Sequence, residues 1–425
     1  GSTVGNGVRK GCGSLAGRIF YGWIIAGTIL TVWALSIGPR QSFSVFLLPF
    51  VEEFGSNRSV VSGVFSVHMA LYAVGGWGLG ILVDRVGPKR IIAWSTAGWA
   101  LVLVATGWLS GVWQLYLVYG FLGGIATGGL AYVANNALIS RWFIRYRGVA
   151  TGLAQAGVPL GAAIYGSLGQ LGVATMGWRG THVAFGLVVL VVAVPLIALV
   201  HRDDPKEMGL LPDGRPSGAE SGPRRERHAG HAGAGLPRGY WAIFGANALR
   251  GLTMYAILVH QVAYLVDVGF SRLAAASYFS TAALLAIAGG LAAGAISDRI
   301  GRLRTYGGLA GLFAVGYLSL LLTRHPSHTL PLWVFVVSTG VATGGVGPVF
   351  TAFLTDRLQG PRLGFLLGLQ NIGFGAGATL APYLAGAAFD ILGSYTLVFI
   401  LMAAAIVGSS LIASATARRL SPSSR

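Results

Sequence analysis

Long apolar stretches, separated by short polar loops, follow one another along almost the whole chain. A helix needs about 20 apolar residues to cross the hydrocarbon core of a bilayer, and these stretches reach that length. They are continuously apolar and do not alternate at every second residue, so they predict helices rather than the strands of a membrane barrel. We predict twelve spans, at 21–50, 59–83, 91–110, 113–140, 149–172, 181–200, 239–267, 272–296, 305–323, 330–355, 364–389 and 394–416.

The apolar stretches form two sets, because a polar loop motif occurs twice. The segment GILVDRVGPKR at Gly80–Arg90 returns 214 residues later as GAISDRIGRLR at Gly294–Arg304. Chance does not preserve such a register, so we predict two copies of one helical unit with a site between them. Further positions recur at a spacing of 216: Arg141, Gly148, Gly152, Gly157 and Gly161 return as Arg357, Gly364, Gly368, Gly373 and Gly377.

The repeat and the loops together predict the organisation of the chain. We expect an all-α membrane protein of twelve transmembrane helices in two pseudo-symmetric six-helix halves. The one long polar segment, rich in Gly, Pro, Arg and His, predicts a flexible linker between the halves. The predicted parts are an N-terminal segment 1–20, a first half 21–200, a linker 201–238, a second half 239–416 and a tail 417–425.

Composition supports a membrane protein and excludes an ordinary soluble domain. The 425 residues are 54% hydrophobic and only 10% charged, with a mean hydropathy of +0.68. A soluble domain carries about 25% charged residues. The net charge of +17 does not indicate nucleic-acid binding, because the basic residues are distributed among the loops and not gathered on one domain.

The basic residues predict the orientation of the chain. Most Lys and Arg residues lie in the N-terminal segment, in the loops after the even-numbered spans and in the tail. By the positive-inside rule, both termini and the middle loop are then cytoplasmic, where the middle loop faces anionic lipid. The arginines on the other side are Arg58, Arg179, Arg272 and Arg324.

The repeated loop carries a family resemblance. Its pattern G-x-L-x-D-R-x-G-x-K-R, with Asp84 and Arg85, resembles the signature loop of the major facilitator superfamily, and Asp298 and Arg299 resemble its second-half partner. The resemblance extends over essentially the whole chain and implies the major facilitator fold. It also implies that these four residues gate conformational change and do not touch substrate.

Finer matches resemble one branch of that superfamily. GPRQSFSVFLLPF at Gly38–Phe50, the segment 141–161 and RDDPKEMGLLPDG after span 6 are similar to monocarboxylate transporters and oxalate/formate antiporters of bacteria. The resemblance implies a transporter of small organic anions, located in a bacterial inner membrane. The chain departs from those relatives in span 8, because Ala274–Gly294 holds no charge where they carry one.

Arg40 is the strongest candidate for a substrate-binding residue. It lies about ten residues from the outer end of span 1, which at about 1.5 Å per residue is about 15 Å deep. An arginine near the middle of a span costs about 3 kcal/mol on insertion scales and therefore normally faces a cavity or a partner. A cation at that depth favours an anionic ligand, and the adjacent Gln41 is a further candidate contact.

The second half offers its own polar candidates. Arg250 lies about 15 Å from the end of span 7 by the same rise, where both substrate contact and a bond to a neighbouring helix fit. His260 and Gln261 fall on Arg40 and Gln41 if spans 7 and 1 are superposed at an offset of 220, which predicts facing polar pairs. The predicted substrate contacts also include Tyr119, Tyr278 and Asn371.

Titratable groups limit the predicted coupling. The acids of the spans lie at their ends, so proton symport through a buried carboxylate is disfavoured. His260 and His68, with an unperturbed pKa of about 6.5, are the remaining candidates for proton coupling. The acids at the cytoplasmic ends are Asp84, Asp298 and Asp356, and those near the outer face are Glu52, Glu53, Asp267 and Asp390.

We therefore predict a secondary active transporter of a small organic anion, with a monocarboxylate as the favoured substrate. Proton-coupled symport and anion exchange both remain open. The alternative is efflux of hydrophobic or drug-like compounds by proton antiport, since Gly157-Val-Pro159-Leu-Gly161 is similar to a motif of such antiporters. We expect a monomer in lipid, without nucleic-acid partner, cofactor or metal. The sequence shows neither a nucleophile–base pair nor a phosphate-binding loop, so it does not indicate an enzyme.

Overall fold

A computed structural model describes residues 20–214, 236, 239–358 and 363–417. Within these ranges the chain is α-helical, with short π-helical and 3-10 segments and no strand. The first half contains α1 (Tyr21–Gln41), α2 (Phe43–Phe54), α3 (Arg58–Val86), α4 (Pro88–Thr106), α5 (Val112–Leu115), α6 (Gly123–Gly128), α7 (Tyr132–Trp142), α8 (Arg147–Gln155), α9 (Gly157–Val188) and α10 (Val194–Val200). The second half contains α11 (Tyr240–Asp267), α12 (Arg272–Ile300), α13 (Arg302–Leu320), α14 (Thr329–Arg357), α15 (Leu363–Leu392) and α16 (Thr396–Thr416).

Helices make up most of each of the twelve predicted spans. Eight segments of the described chain are long and apolar enough to cross a membrane. One of them, Arg147–Val200, contains two predicted spans, because Gly177 at φ 71° interrupts the helix between them. The other three predicted spans correspond to α4, to α13 and to the run α5–α7, which a π-helical turn at Tyr116–Leu122 interrupts.

The duplication seen in the sequence is also present in the backbone. Helices α3 and α12 are both 29 residues long, and α4 and α13 are both 19 residues long. Gly87 and Gly301 close the first helix of each pair at φ 93° and φ 95°. An L-residue with a side chain disfavours that left-handed region, which explains the glycine in both copies of the loop. The two halves are therefore built on one repeated frame.

The halves differ at their first spans. Helix α1 ends at Gln41 and α2 begins at Phe43, with Ser42 between them at φ −84° and ψ 11°. Pro39 has no backbone N–H and precedes this break, and the Ser42 hydroxyl donates to the Pro39 carbonyl at 3.0 Å. In the second half α11 continues without interruption. The break therefore lies immediately beside Arg40.

Each half packs against the other along three helix pairs, α3 with α15, α9 with α12 and α2 with α11. The Val262 backbone N–H donates to the Ser44 hydroxyl at 3.1 Å across one of these contacts. We call the end of the bundle at Phe54, Arg58, Asp267 and Arg272 the distal end. The opposite end, where the repeated loops lie, is the basic end.

The beginning of the predicted flexible linker is packed against the first half. This segment, residues 201–214, is named the strap. The Asp203 carboxylate accepts the Lys89 backbone N–H at 2.8 Å, and the Asp213 carboxylate accepts the Arg145 backbone N–H at 2.9 Å. The expectation of a flexible linker therefore does not hold for this part. A segment held by capping bonds to backbone N–H groups has no apolar period from which its packing could be predicted.

The strap begins with a fully buried histidine. Neither ring nitrogen of His201 has a hydrogen-bond partner within the described part of the chain. Burial, and to a smaller extent the charge of Lys89, lowers the pKa of His201 to about 4. The imidazole is therefore neutral in the folded protein at neutral pH.

Candidate functional site

Arg40 is held inside the first half beside the break between α1 and α2. Its side chain is 4% exposed, and its guanidinium carbon lies 4.5 Å from the centroid of the Tyr72 ring. One guanidinium N–H group donates to Gln41 Oε1 at 3.4 Å. A guanidinium that lies on an aromatic face keeps its charge in an apolar environment, because the face of the ring attracts a cation.

Arg250 is a second buried arginine, on α11 of the second half. Its side chain is 7% exposed, and its guanidinium carbon lies 4.3 Å from the centroid of Phe374. Arg250 Nε donates to Asn247 Oδ1 at 2.9 Å, and Asn247 Nδ2 donates to the Gln370 carbonyl at 2.7 Å. The bond to Asn247, a residue of its own helix, orients the charge, and substrate contact by Arg250 stays a prediction.

Tyr255 connects the surroundings of the two arginines. Its ring lies 6.0 Å from Phe65 of the first half and 6.0 Å from Phe374 of the second half. Its hydroxyl is within electrostatic range of both Arg40 and Arg250. Sequence reasoning missed Tyr255, because an apolar helix gives no sign of which tyrosine lies between the halves. We call Arg40, Tyr72, Arg250, Tyr255 and Phe374 the arginine site.

His68 and Tyr119 lie together within the first half. His68 Nδ1 lies 2.9 Å from the Tyr119 carbonyl, and Nε2 lies 3.0 Å from the Thr127 hydroxyl. Both ring nitrogens are therefore engaged within one half. The Tyr119 hydroxyl is buried and has no hydrogen-bond partner among the described residues, although it is in electrostatic range of Arg40. Tyr119 thus offers a polar group near the arginine site.

His260 is bonded within the second half. Its Nδ1 lies 2.8 Å from the Tyr395 hydroxyl, and its Nε2 lies 2.9 Å from the Pro382 carbonyl. Since both nitrogens are taken, His260 does not bond Arg40, and the expected facing pair is not formed. Superposition of two spans gives the depth of a residue but not the face on which it lies.

Arg58 joins the halves at the distal end. Its guanidinium makes two bonds to the Asp267 carboxylate, at 2.6 and 2.7 Å, and a third to the Tyr395 hydroxyl at 3.1 Å. Its guanidinium carbon also lies 3.9 Å from the Phe389 ring. The backbone N–H of Arg58 donates to Asp390 at 3.1 Å, so a second-half carboxylate caps the start of α3. We call Arg58, Asp267, Phe389, Asp390 and Tyr395 the latch.

A second ion pair stands at the symmetry-related position. Arg272 begins α12 as Arg58 begins α3, and it pairs with Glu52 at the end of α2. Sequence reasoning missed both bridges, although the signal was present. Arg58 and Arg272 are separated by the same 214 residues as the repeated loops. The repeat therefore places a cross-half arginine twice at the distal end.

The remaining predicted contacts lie in different places. Gln261 is buried on α11, and Asn371 is exposed on α15. The Tyr278 ring packs at 5.5 Å against Trp333 and at 5.9 Å against Phe270, both in the second half. These three stay predictions as substrate contacts.

The residues predicted to gate conformational change lie at the basic end. Asp298 pairs with Arg302 at 2.6 Å, whereas Arg299 and Arg85 are exposed. The Asp84 side chain lies outside the described part of the structure. Within the described ranges, no group of three or more His, Cys, Asp or Glu side chains is arranged to hold a metal ion.

Comparison with known proteins identifies relatives over nearly the full chain. The family model of the Major Facilitator Superfamily matches residues 24–262 and 241–425. An uncharacterized MFS-type transporter, YcxA of Bacillus subtilis (strain 168), is 25% identical and covers 84% of this chain and 86% of its own. Monocarboxylate transporter 3 of Rattus norvegicus is 27% identical over 94% of this chain and 80% of its own.

Solved structures show the same fold. A bacterial homologue of the human lysosomal transporter Spinster superposes with a TM-score of 0.70 at 19% identity, covering 95% of both chains. The xylose transporter XylE from E. coli superposes with a TM-score of 0.71 at 15% identity, covering 92% of this chain and 95% of its own. At these identities the likeness concerns the fold alone.

Proposed function

The chain belongs to the major facilitator superfamily and is a membrane transporter, and we propose that it carries a small organic anion, a monocarboxylate, by alternating access. The relatives named as monocarboxylate transporters support this substrate class. The proposal places the site between the two halves, with both termini on the cytoplasmic side of a bacterial inner membrane.

One observation carries the substrate class, namely the buried charge of Arg40 on the Tyr72 ring. An ionised group in the middle of a membrane protein is costly unless a cavity, a partner or a ligand compensates it. The acids of the spans stand near the helix ends and not at the depth of Arg40. A carboxylate is the ligand group whose charge complements a buried guanidinium, and its two oxygens match the parallel N–H groups of an arginine.

The surroundings favour a small ligand with an apolar body. Three aromatic rings, those of Tyr72, Tyr255 and Phe374, accompany the two cations of the arginine site. A short carboxylate can place its charge on Arg40 and its carbon atoms against these rings. Arg250 supplies a second cation on the opposite half, so that movement of the halves changes the distance between the two charges.

Bonds between the halves at the distal end close one side of the transporter in the alternating-access cycle. The latch and the bridge between Arg272 and Glu52 both join the halves there. Opening toward the distal side requires these bonds to break while the halves rock about the site. Coupling then proceeds by proton symport or by anion exchange, with His260 as the titratable group nearest the latch.

Counterflow in proteoliposomes tests the proposal. Purified protein is reconstituted and challenged with short labelled monocarboxylates, dicarboxylates and cationic dyes, with and without a pH gradient. We expect Arg40→Gln to lower carboxylate counterflow by about 10- to 100-fold, because bonds to charged groups contribute about 1.5–3 kcal/mol each. Arg40→Lys retains the charge and part of the transport.

Arg324→Gln is the matched control, since Arg324 is an exposed arginine at the distal end. It should leave counterflow unchanged. Full carboxylate transport by Arg40→Gln contradicts the proposal. Transport of cationic dyes in preference to every acid supports drug efflux instead.

A further inference from the structure

A continuous row of hydrogen bonds runs from the interior of the second half to the latch. The Pro382 carbonyl lies 2.9 Å from His260 Nε2, and His260 Nδ1 lies 2.8 Å from the Tyr395 hydroxyl. That hydroxyl lies 3.1 Å from Arg58 Nη1, and Arg58 binds Asp267. The row therefore connects a buried imidazole to the residue that joins the halves.

The chemistry of its ends fixes the direction of each bond. A carbonyl only accepts, so His260 Nε2 carries the proton that bonds Pro382. A guanidinium only donates, so the Tyr395 oxygen accepts from Arg58. In neutral His260, Nδ1 is then an acceptor, and the Tyr395 hydroxyl donates to it. Every bond of the row has one donor and one acceptor when His260 is neutral.

A second proton on His260 is incompatible with this arrangement of donors and acceptors. Nδ1 then becomes a donor and points its N–H at the Tyr395 oxygen. That oxygen receives N–H groups from two cations, His260 and Arg58, while its own hydroxyl proton loses its acceptor. Like charges sharing one oxygen in a buried place repel each other. The closed latch is therefore compatible with neutral His260 only.

The charges around His260 reverse this preference once the latch opens. Arg58 is a first-half residue, at the start of α3, and it leaves with the first half. Asp267, at the end of α11, and Asp390, near the end of α15, remain in the second half, and both belong to the latch. At the distal end α2 carries Glu52 and Glu53, and α12 carries Arg272. Glu52 pairs with Arg272, and Glu53 pairs with Arg179. Opening thus removes a neighbouring cation and leaves the two acids in place, which favours a proton on His260.

We propose that His260 is a proton-binding site whose occupation opens the distal end, and that closure of the latch expels the proton. By linkage, a proton that binds the open state more strongly than the closed state shifts the population toward the open state. Tyr395 is the positioning residue that transmits the change to Arg58. The inference rests on the alternating access proposed above but not on the identity of the substrate.

Thiol labelling from the distal side tests the inference. The sole cysteine of the chain, Cys12, is first replaced by alanine. Ser62→Cys is the reporter, because Ser62 is buried on α3 against Gly386 of the other half. Ser394→Cys is an exposed reporter at the same end and corrects for the effect of pH on the thiol itself. The measured quantity is the labelling rate at Ser62→Cys divided by that at Ser394→Cys, without substrate.

We expect this ratio to rise about tenfold as pH falls from about 8 to about 5, the range in which a histidine takes up a proton. His260→Gln, which keeps one donor and one acceptor, should make the ratio independent of pH over that range. His325→Gln changes an exposed histidine of the distal end and should leave the response unchanged. A flat ratio in the parent protein, or an unchanged response in His260→Gln, overturns the proposal.

Tyr395→Phe is a second variant, which tests the transmission from His260 to Arg58 with little risk to folding. It removes only the hydroxyl and retains the ring, which packs 4.6 Å from Phe389. Labelling should become faster at every pH, and its dependence on pH should be lost. An unchanged response to pH in this variant contradicts the transmission through Tyr395.

The experiments can contradict the proposed substrate class and the proposed proton site independently of each other. If no carboxylate is transported but the labelling ratio still follows His260, the substrate class is wrong and the proton site stands. If carboxylates are transported and the ratio does not respond to pH, the proton site is wrong and the substrate class stands.

Discussion

The two distal bridges show how one repeated position acquires two environments. Arg58 and Arg272 each begin a long helix and each pair with an acid of the other half. The Arg58 side chain is 11% exposed and also bonds Tyr395, whereas the Arg272 side chain is 37% exposed and its partner Glu52 is 56% exposed. Duplication fixes where the arginines stand, and their neighbours decide how strongly each one joins the halves.

Replacing each arginine in turn tests whether the two bridges differ in strength, and we expect the largest effect here. We expect Arg58→Gln to destabilise the closed protein by about 3 kcal/mol, because it leaves Asp267 and Tyr395 without their cation. This value is at the low end of the range for buried pairs, since a third of Asp267 is exposed. Arg272→Gln should change stability by less than about 1 kcal/mol, as for other exposed pairs.

Thermal unfolding in one detergent at one pH measures both variants. Arg58→Lys provides the control, because it keeps the charge but loses the two parallel bonds to Asp267. It should fall between the parent protein and Arg58→Gln. Equal losses for Arg58→Gln and Arg272→Gln contradict the view that burial distinguishes the two bridges.

A second difference between the halves lies at the basic end. His201 follows α10 in the first half, and Ala417 follows α16 at the position 216 residues later. With its pKa lowered to about 4 by burial, His201 is neutral in the folded state. The unfolded chain takes up a proton below about pH 6.5, so stability is full above that pH and falls toward pH 4, by at most about 3 kcal/mol.

His201→Ala, which copies the residue of the second half, tests this difference. We expect the melting temperature of the parent protein to decrease more steeply between about pH 6.5 and about pH 4 than that of the variant. The slopes are compared, because loss of the ring also changes the level of stability. Equal slopes for the two proteins contradict the assignment of this pH dependence to His201.

The sequence predicted most of the frame, for a simple physical reason. A helix must satisfy its own backbone bonds in lipid, so apolar length alone locates the spans. The repeat then gave the pairing of halves, which the equal lengths of α3 and α12 confirm. The burial of Arg40 was predictable in the same way, because it lies inside an apolar run, and its role in substrate binding stays a prediction.

The latch could not be predicted from the same pattern. Arg58, Asp267 and Asp390 are ordinary charges at helix ends, and their meeting depends on how the two halves pack. The superposition of spans 1 and 7 did not predict the partners of His260, which are Tyr395 and the Pro382 carbonyl, both in the second half. The packing of the strap could not be predicted either, because its capping bonds to backbone N–H groups produce no periodic pattern in the sequence.

The repeated glycines allow a sharper comparison of the basic ends. Gly87 and Gly301 share nearly the same backbone conformation, so alanine at either should cost about 1–2 kcal/mol in strain. A Cβ atom at Gly87 would lie 2.5 Å from Asp203 Oδ2, whereas one at Gly301 meets nothing within 4 Å. Gly87→Ala should therefore lower the melting temperature more than Gly301→Ala. Equal losses in thermal unfolding contradict a specific contact with the strap.

The smallest expected change in stability concerns the acids that bond the two repeated loops, Asp203 in the first half and Asp356 in the second. Asp203 accepts the Lys89 backbone N–H in the first turn of α4, a group that has no partner within its own helix. Asp203→Ala should therefore cost about 1 kcal/mol, as for other lost helix caps. In the second half Arg302 bonds both Asp298 and Asp356, so Asp356→Ala leaves one ion pair in place and should cost well under about 1 kcal/mol. If thermal unfolding shows Asp356→Ala to be the more damaging change, the strap is not what holds the first loop.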